Sequence, residues 1–426
     1  MRIDKLIVEN FKSFVKEEFN LNPSFTVFIG DNATGKTSVL NALSVSLGSF
    51  LLGIEGVASR PINPQEVRVK TINGQPKPQK PSKIRAHWNL TDEDRSVWEY
   101  KESEKNVVWS RAIEKIQTNS KYARPVSILA ARLLKKSRAE SGVIFPLLAY
   151  YGTGRLWASH EKLSYQKQEE GVKMAYTNAL SAKASPKEFL EWFKTQENSI
   201  TKFQRPLEIS HFNAMKTAIM SLIPEGRWQE MAFDHKANDL TGRFKNDDGE
   251  WETLNFSQLS DGFRCMIAMA GDMIFRGIQL NPHLGELVVH DTPGVVLVDE
   301  LDMHLHPNWQ RRVVADLKRV FPKIQFVATT HSPFVVQSLK GDEVWNLDRT
   351  MEGNPSELKI DIVAEEIMGV PSAFSMVNTE VHHQTRTIME RIQSGEPGED
   401  LDKEIANIND PGLRAFLELQ LLTAGR

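Results

Sequence analysis

The chain has 426 residues, of which 40% are hydrophobic and 25% are charged, a balance typical of a globular protein with more than one core. Its 52 Lys and Arg residues against 55 Asp and Glu residues give a net charge of -3, which excludes a global basic field that would hold nucleic acid non-specifically. The single cysteine, Cys265, excludes an internal disulfide and a thiolate metal site.

The sequence carries no pattern typical of secretion or of membrane insertion. Its first residues lack the apolar core of a signal peptide, and no window approaches the roughly 18 consecutive apolar residues of a membrane span. A lone cysteine also fits a reducing compartment. We therefore expect a cytoplasmic protein without a membrane partner.

The first part of the chain predicts a strand, a glycine-rich loop and a helix in succession. Apolar and polar residues alternate over residues 3–14, and Phe25–Ile29 is a short β-rich run that ends at Gly30. From Lys36 onwards, apolar residues recur at helical spacing. Residues 54–83 are rich in Pro, Gly, Gln and Lys, which indicates a surface loop or hairpin.

Further along the chain, apolar runs predict short strands and amphipathic stretches predict helices. The predicted strands are 84–90, 97–101, 143–151, 295–298 and 324–328, and the predicted helices are 128–139, 267–275 and the charged tail after residue 358. Residues 159–245 contain few strand-like runs and indicate a mostly helical insertion. We therefore predict an N-terminal lobe (1–158), this insertion, a C-terminal lobe (246–357) and a helical partner-binding region (358–426).

A complete phosphate-binding pattern follows the second predicted strand. The segment GDNATGKTS matches G-x-x-x-x-G-K-[ST], in which successive backbone N–H groups wrap phosphate oxygens. A helix that starts at this point directs its positive end at the anion. The predicted ATP-binding residues of this phosphate loop (residues 30–38) are Gly30, Asp31, Asn32, Ala33, Thr34, Gly35, Lys36, Thr37 and Ser38.

An acidic pair follows the buried strand predicted at residues 295–298. In VVLVDELD, Asp299 is placed to hold Mg²⁺ together with the Thr37 hydroxyl. Glu300 comes next, where its carboxylate can orient and deprotonate the water that attacks the γ-phosphate. The phosphate loop and this pair together predict ATP and Mg²⁺ as ligands.

Two further segments carry candidate ATP-site residues. In TTHSP, His331 follows the next apolar strand and emerges at the edge of the sheet where ligands bind in open α/β sheets. In LSDGFR, the Ser260 hydroxyl and the backbone around Gly262 lie at the start of a predicted helix. A hydroxyl-rich turn and an ordinary capped helix are the structural alternatives for these two segments.

In chain order, GDNATGKTS, LSDGFR, VVLVDELD and TTHSP resemble the Walker A, signature, Walker B and switch-histidine elements of ABC-type ATPases. The N-terminal IDKLIVENFKSF resembles the RecF, SMC and OLD-like branch of this class. The resemblance implies an α/β P-loop head with a mixed sheet flanked by helices, and ATP hydrolysis through Glu300 and His331. It also implies a homodimer or higher homo-oligomer, in which Ser260 and Gly262 complete the ATP site of a partner copy.

Within this branch, PLLAYYGTGRLW, LSDGFR and DELDMHLHPNWQ resemble the PtuA-like ATPases of bacterial antiphage systems, namely Septu and the retrons that contain PtuA. This resemblance covers the chain to about residue 347. It implies a regulatory ATPase subunit whose ATP-dependent head dimerisation controls a separate HNH-type nuclease. A RecF-like or SMC-like ATPase of DNA repair is the alternative function.

Several residues are ambiguous. Arg155 follows an apolar strand where a phosphate-coupling residue is expected, but a structural arginine is an equal alternative, and no Q-loop glutamine is assigned. Lys12 is a candidate phosphate contact. His304 and His306 could suggest a metal site, but they resemble a stretch common to these ATPases after Walker B. His382 and His383 lack the surrounding Asn and acidic residues of an HNH centre. The basic runs KPQKPSKIR and QRRVVADLKRVFPK are either solvated faces or contacts for DNA or RNA.

Overall fold

The computed structural model describes residues 1–114, 118–156, 171–182, 187–223, 228–246, 248–348, 353–371, 385–392, 398–408 and 411–424. It divides the chain into two compact units, Met1–Leu358 and Lys359–Arg426. None of the described helices is long and apolar enough to cross a membrane.

Fifteen described strands follow one another along the first unit. They are β1 (Lys5–Phe11), β2 (Phe14–Asn20), β3 (Phe25–Ile29), β4 (Val69–Ile72), β5 (Gln75–Pro78), β6 (Ser82–Asn89), β7 (Asn106–Ile113), β8 (Thr118–Asn119), β9 (Leu147–Tyr151), β10 (Trp228–Asp234), β11 (Asp239–Lys245), β12 (Trp251–Asn255), β13 (Gly294–Val298), β14 (Ile324–Thr329) and β15 (Val344–Asn346).

The described α-helices of the first unit are α1 (Lys36–Leu51), α2 (Asp92–Trp98), α3 (Arg124–Ser137), α4 (Val172–Tyr176), α5 (Lys187–Phe203), α6 (Pro206–Leu222), α7 (Asp261–Leu280), α8 (Val288–Asp291), α9 (Pro307–Gln310), α10 (Val313–Val320) and α11 (Pro333–Gln337). Those of the second unit are α12 (Ile360–Ile362), α13 (385–392), α14 (Gly398–Ala406) and α15 (Pro411–Ala424).

A parallel sheet forms the centre of the first unit. Its strand order is β15-β3-β14-β13-β9, and every neighbouring pair is parallel. All residues of β3, β9, β13 and β14 are buried, as expected for parallel strands that are covered on both faces. The α/β class predicted from the sequence is therefore confirmed.

An antiparallel sheet with the order β2-β1-β6-β7-β8 lies on the other side of α1 from the parallel sheet. Helix α1 contacts β1, β6 and β7 of the antiparallel sheet as well as β13 and β14 of the parallel sheet. Because a sheet lies on each side of it, α1 is buried around most of its circumference. The parallel and antiparallel strands thus form two separate sheets, with the helix of the phosphate loop between them.

Two local predictions were wrong. Residues 97–101 do not form a strand, because the chain folds into α2, whose first turn is capped by the Thr91 side chain and carries three acidic residues. The end of the predicted helical insertion is not helical, since residues 228–245 contribute β10 and β11 to an antiparallel sheet with β12. Residues 54–83 contain the β4–β5 hairpin that their composition indicates.

The second unit has a small apolar core of its own. Helices α13, α14 and α15 and the residue Ile408 after α14 contribute its buried residues, which are Ile388, Ile392, Leu401, Ile405, Ile408 and Leu417. Met389, Leu413 and Leu421 pack against this core. The unit therefore buries apolar side chains from three helical segments, as an amphipathic tail requires. His382 and His383 lie outside the described residues.

Candidate functional site

The strand order brings the predicted ATP-site segments to one edge of the parallel sheet. Strand β14 lies between β3 and β13, so the loops that follow these three strands emerge side by side. The carboxyl ends of parallel strands are where open α/β sheets bind ligands. The phosphate loop, the acidic pair and the TTHSP turn therefore meet at the same edge.

The phosphate loop has a backbone that only glycine can adopt at two positions. Gly30 and Gly35 have φ angles of 142° and 110°. A Cβ atom on Gly35 would lie 2.7 Å from both Phe14 Cζ and Ser13 Oγ, and one on Gly30 would lie 2.7 Å from Asp348 Oδ2. The loop is thus packed against the β1–β2 turn on one side and against Asp348 on the other.

The Lys36 side chain folds back over its own loop. Its Nζ donates hydrogen bonds to the carbonyl oxygens of Gly30, at 2.6 Å, and Asp31, at 2.7 Å. Burial lowers the pKa of this ammonium group, while the nearby carboxylates of Asp348 and Asp31 act against that shift. The cation is therefore held at the centre of the loop, where the β- and γ-phosphates of a nucleotide would lie.

Thr37 and Asp299 come together, as the sequence predicts for two groups that share a magnesium ion. Thr37 Oγ1 donates to the Asp299 carboxylate and lies 3.0 Å from Oδ2. The Thr329 hydroxyl donates to the same carboxylate, 2.6 Å from Oδ1. Asp299 is buried, so these hydroxyl contacts compensate the desolvation of its charge.

Glu300 has a left-handed backbone with a φ angle of 49°, which is uncommon for a residue with a side chain. Its N–H donates to Thr329 Oγ1 at 2.8 Å, so one threonine holds both members of the acidic pair. Sequence reasoning missed Thr329, although it stands at the end of the apolar run before His331. The strained backbone positions the Glu300 side chain at the sheet edge.

The TTHSP turn is organised by Asp302, the third acid of VVLVDELD. Thr330 Oγ1 donates to Asp302 Oδ1 at 2.5 Å, and the N–H of His331 lies 3.3 Å from the same oxygen. Ser332 caps α11 and donates to Gln310 Oε1 at 2.6 Å. His331 itself is exposed, so its imidazole remains accessible at the edge of the sheet.

The signature segment lies at the start of α7. Ser260 is exposed at the N-cap position and makes no side-chain capping hydrogen bond. A Cβ atom on Gly262 would lie 2.5 Å from the carbonyl oxygen of His304, so glycine permits α7 to approach the loop after β13. Within the described part of the chain, no hydrogen bond or ion pair joins Ser260 or Gly262 to the phosphate loop.

Asp348 is a component of the site that the sequence pattern did not mark. Its Oδ2 accepts the N–H of Asp31 at 2.5 Å, across a separation of 317 residues. Asp348 follows β15, the edge strand that pairs with β3, and this pairing brings an isolated acid to the phosphate loop. The signal available from the sequence was only its place after a short apolar strand.

Of the two candidate phosphate contacts Lys12 and Arg155, the structure describes the side chain of Lys12 only. Lys12 Nζ lies 3.9 Å from Glu66 Oε1, and burial is the main reason that its pKa is lowered, with Glu66 and Asp299 acting against the shift. Lys12 is therefore close enough to Asp299 to interact with its charge. Arg155 lies in a short 3-10 helix, Thr153–Leu156, and its side chain lies outside the described residues.

A buried network ties β9 to the signature helix. The Tyr151 hydroxyl donates to Asp272 Oδ2 at 2.7 Å, and Arg276 Nε donates to the same oxygen at 2.8 Å. Arg276 also donates to the carbonyl oxygens of Ala175 and Thr177. The segment after β9 and helix α7 are thus linked through one carboxylate, which the sequence alone did not indicate.

Two family models match the chain. One, described as an AAA domain, matches residues 5–224. The other, described as "AAA domain, putative AbiEii toxin, Type IV TA system", matches residues 155–337. The chain belongs to the AAA domain family. The ATPase class predicted from the phosphate loop and the acidic pair is confirmed.

Named relatives cover most of the chain. The Retron Vc95 probable ATPase of Vibrio cholerae serotype O1 biovar El Tor is 23% identical over 81% of this chain and 73% of its own length. The Retron Ec83 probable ATPase of Escherichia coli is 24% identical over 82% of this chain and 71% of its own length. The Septu protein PtuA of Bacillus mycoides is 27% identical over 80% of this chain and 40% of its own length. The predicted resemblance to retron and Septu ATPases is confirmed.

Among solved structures, an Smc head domain with an extended coiled coil from Pyrococcus furiosus covers 79% of this chain and 91% of its own length, at 17% sequence identity and a TM-score of 0.45.

Proposed function

We propose that this ATPase is the regulatory subunit of a bacterial antiphage defence complex, in which ATP-dependent dimerisation of the head controls an associated nuclease. The observation that carries the ATP-dependent part is the meeting of Lys36, Thr37, Asp299 and Glu300 at one sheet edge. The relatives named as retron and Septu proteins support the defence role.

The site residues fit a nucleotide with a magnesium ion. Thr37 and Asp299 present hydroxyl and carboxylate oxygens about 3.0 Å apart, and Mg²⁺ prefers such oxygen ligands. The described residues contain no cluster of three His, Cys, Asp or Glu side chains that could hold a metal ion alone. Phosphate oxygens and water would therefore complete the coordination, and the ion would neutralise charge on the phosphates.

The chain's own groups then have separate roles in hydrolysis. Backbone N–H groups of residues 32–38 and the Lys36 ammonium bind the phosphates. Glu300 accepts the proton of the attacking water, and the fixed position of its backbone orients that carboxylate. His331 donates a hydrogen bond to the γ-phosphate or to the water from the exposed end of β14.

A second copy of the chain would complete the site. Ser260 is exposed at the start of a 20-residue helix, and its hydroxyl is not used as a cap. An exposed hydroxyl and the free N–H groups of a helix start are suited to bind a phosphate. We assign Ser260 and Gly262 to the ATP held by the phosphate loop of the partner copy.

The nuclease partner is assigned to surfaces that the ATP site does not need. In the second unit, Phe416, Leu419 and Leu422 are 46%, 58% and 72% exposed. These apolar side chains recur at three-residue spacing on α15, which is the pattern of a helix face that meets another protein. The helical insertion is the second surface assigned to partners.

Substitution of the acid next to Asp299 tests the enzyme mechanism. We expect Glu300→Gln to lower the turnover of ATP by about 10²- to 10⁴-fold, because the general base is lost, while ATP binding is retained. The variant should accumulate as an ATP-dependent dimer in analytical ultracentrifugation. Glu286→Gln, at an exposed carboxylate in the same unit, is the matched control. Unchanged turnover in Glu300→Gln would contradict the assignment.

The defence role has its own experiment. The gene and its genomic neighbours are expressed together, and phage plaques are counted for the wild type, for Glu300→Gln and for a deletion of the neighbouring nuclease gene. We expect both changes to abolish protection. Protection that survives both changes, or the lack of any complex in co-purification, would reject the proposed function.

A further inference from the structure

A strongly basic segment lies outside the ATP site. Residues 67–91 contain six Lys or Arg residues and no Asp or Glu, in a chain whose net charge is -3. The six cations are Arg68, Lys70, Lys77, Lys80, Lys83 and Arg85. Such a local concentration of one sign of charge is the electrostatic pattern of a surface that binds polyanions.

The structure shapes the centre of this segment into a two-stranded ribbon. Strands β4 and β5 pair antiparallel around an Asn73–Gly74 turn in which both residues have positive φ angles. All residues from 69 to 78, here called the basic ribbon, are exposed. Because all ten residues of the ribbon are exposed, the ribbon has no core of its own, and packing does not account for its lysines.

Two lysines face each other across the ribbon. Lys70 pairs directly with Lys77, and neither forms an ion pair with another described residue. Like charges placed directly opposite each other destabilise a hairpin. The two lysines are not needed to prevent the ribbon from pairing with the edge of another sheet, because Pro76 and Pro78 already remove two N–H donors from β5. An external anion bound between the two lysines would offset their mutual repulsion.

The other basic run of the sequence provides a contrast. Four of the five cations in residues 311–323 contact a carboxylate: Arg312 and Arg319 with Asp316, Lys318 with Glu343, and Lys323 with Glu93. These three carboxylates offset three of the five positive charges of the run within the protein. The structure thus distinguishes two segments that look alike in the sequence, because the lysines of the basic ribbon, unlike most cations of the other run, form no ion pair with a described residue.

We propose that the basic ribbon binds the phosphate backbone of a nucleic acid. The exposed lysines Lys70 and Lys77, together with the other cations of residues 67–91, present several positive charges to the repeating negative charges of that backbone. A two-stranded β-ribbon also fits the major groove of B-form DNA, whereas the major groove of A-form RNA is too narrow for it. Duplex DNA is therefore the expected form.

The base of the ribbon contacts the turn that packs on the phosphate loop. The Arg68 N–H donates to the Asn10 carbonyl oxygen at 2.9 Å, and Arg68 Nε donates to the Ser13 carbonyl oxygen at 3.4 Å. Ser13 Oγ lies 2.7 Å from the position of a Cβ atom on Gly35. The base of the ribbon is thus connected to the phosphate loop through the β1–β2 turn, so a nucleic acid bound to the ribbon could influence the ATP site.

Binding is tested with labelled duplex DNA, single-stranded DNA and duplex RNA at low and at physiological salt. We expect Lys70→Gln/Lys77→Gln to weaken binding of duplex DNA by about tenfold. The slope of log affinity against log salt should fall by about 1.8, since each phosphate contact contributes about 0.9. Both lysines are exposed and repel each other across the ribbon, so the melting temperature should not fall.

The matched control is Lys101→Gln/Lys236→Gln, which removes the same charge from two other exposed positions and should leave the affinity and the slope unchanged. Equal binding by the ribbon variant and this control would overturn the proposal. So would a wild-type protein that binds no nucleic acid, or one that binds polyglutamate at the ribbon instead. Tighter binding of duplex RNA than duplex DNA would overturn the groove assignment.

The link to ATP has a separate measurement. We expect saturating duplex DNA to change the affinity for ATP, and ATP to change the affinity for DNA by the same factor. Lys70→Gln/Lys77→Gln should remove this dependence. An ATP affinity that is identical with and without bound DNA would show that the ribbon binds DNA without influencing the phosphate loop.

Discussion

The phosphate loop and the signature segment both lie at the start of a long helix, yet their surroundings differ. Lys36 and Thr37 make hydrogen bonds to groups of their own site, including the carboxylate of Asp299. Ser260 is exposed, and its hydroxyl does not cap its own helix. Gly262 contacts the loop after β13 rather than the phosphate loop.

This difference indicates how the work of the site is divided. The phosphate loop is held in place by contacts within one chain. The Ser260 hydroxyl is exposed and does not cap α7, and the proposed function assigns it to the ATP of a partner copy. Under the proposed function, ATP affinity and ATP turnover should therefore depend on different residues, which the following substitutions separate.

The largest effect is expected from blocking each half of the site in turn. Lys36→Ala should abolish ATP binding, and Ser260→Arg should reduce turnover by about 100-fold while ATP binding remains. Ser260 is exposed, so the larger side chain fits the monomer but not the dimer. Turnover and ATP affinity are measured on each variant, with Ser103→Arg as an exposed control.

A mixture of the two inactive variants gives the sharpest test. In a heterodimer, the intact phosphate loop of Ser260→Arg faces the intact signature segment of Lys36→Ala. Equal amounts should therefore recover about a quarter of the wild-type turnover, because half of the dimers carry one working site of two. A mixture that stays inactive would mean that the signature segment does not act in trans.

An intermediate effect is expected from Thr329→Val. This near-isosteric change removes the hydroxyl that contacts Asp299 Oδ1 and the Glu300 N–H. We expect a loss of about 1–3 kcal/mol in the free energy of unfolding, and a decrease in kcat that exceeds any change in KM. Denaturant unfolding and steady-state kinetics check this result, and an unchanged kcat would remove Thr329 from the positioning of Glu300.

The smallest effect is expected from Asp348→Asn. The change keeps an acceptor for the Asp31 N–H but removes a negative charge beside Lys36, so ATP phosphates should bind about two- to fivefold more tightly. The gain should shrink at high salt because Asp348 is exposed. Asp342→Asn makes the same charge change at another exposed position nearby in the sequence and should leave the affinity for ATP unaltered.

The sequence indicated the site where chemistry follows a clear apolar run. Gly30, Asp299 and His331 each come after a strand that the pattern predicts, and strand order then brings them together. Asp348 could not be found this way, because it reaches the loop only through the pairing of β15 with β3. The strand prediction for residues 97–101 was wrong because the Thr91 cap favours helix α2 over a strand, despite the apolar character of Val97 and Trp98.

The strand order also sets when the parts of the candidate ATP site can come together during synthesis. Asp299 is made 262 residues after Thr37, and β14, which lies between their strands, is made later still. At about 5–20 residues per second, the ribosome needs roughly 13–52 s to bridge that interval. Until then the phosphate loop lacks both its neighbouring strand β14 and the Asp299 carboxylate, so the site that the folded protein shows cannot yet assemble.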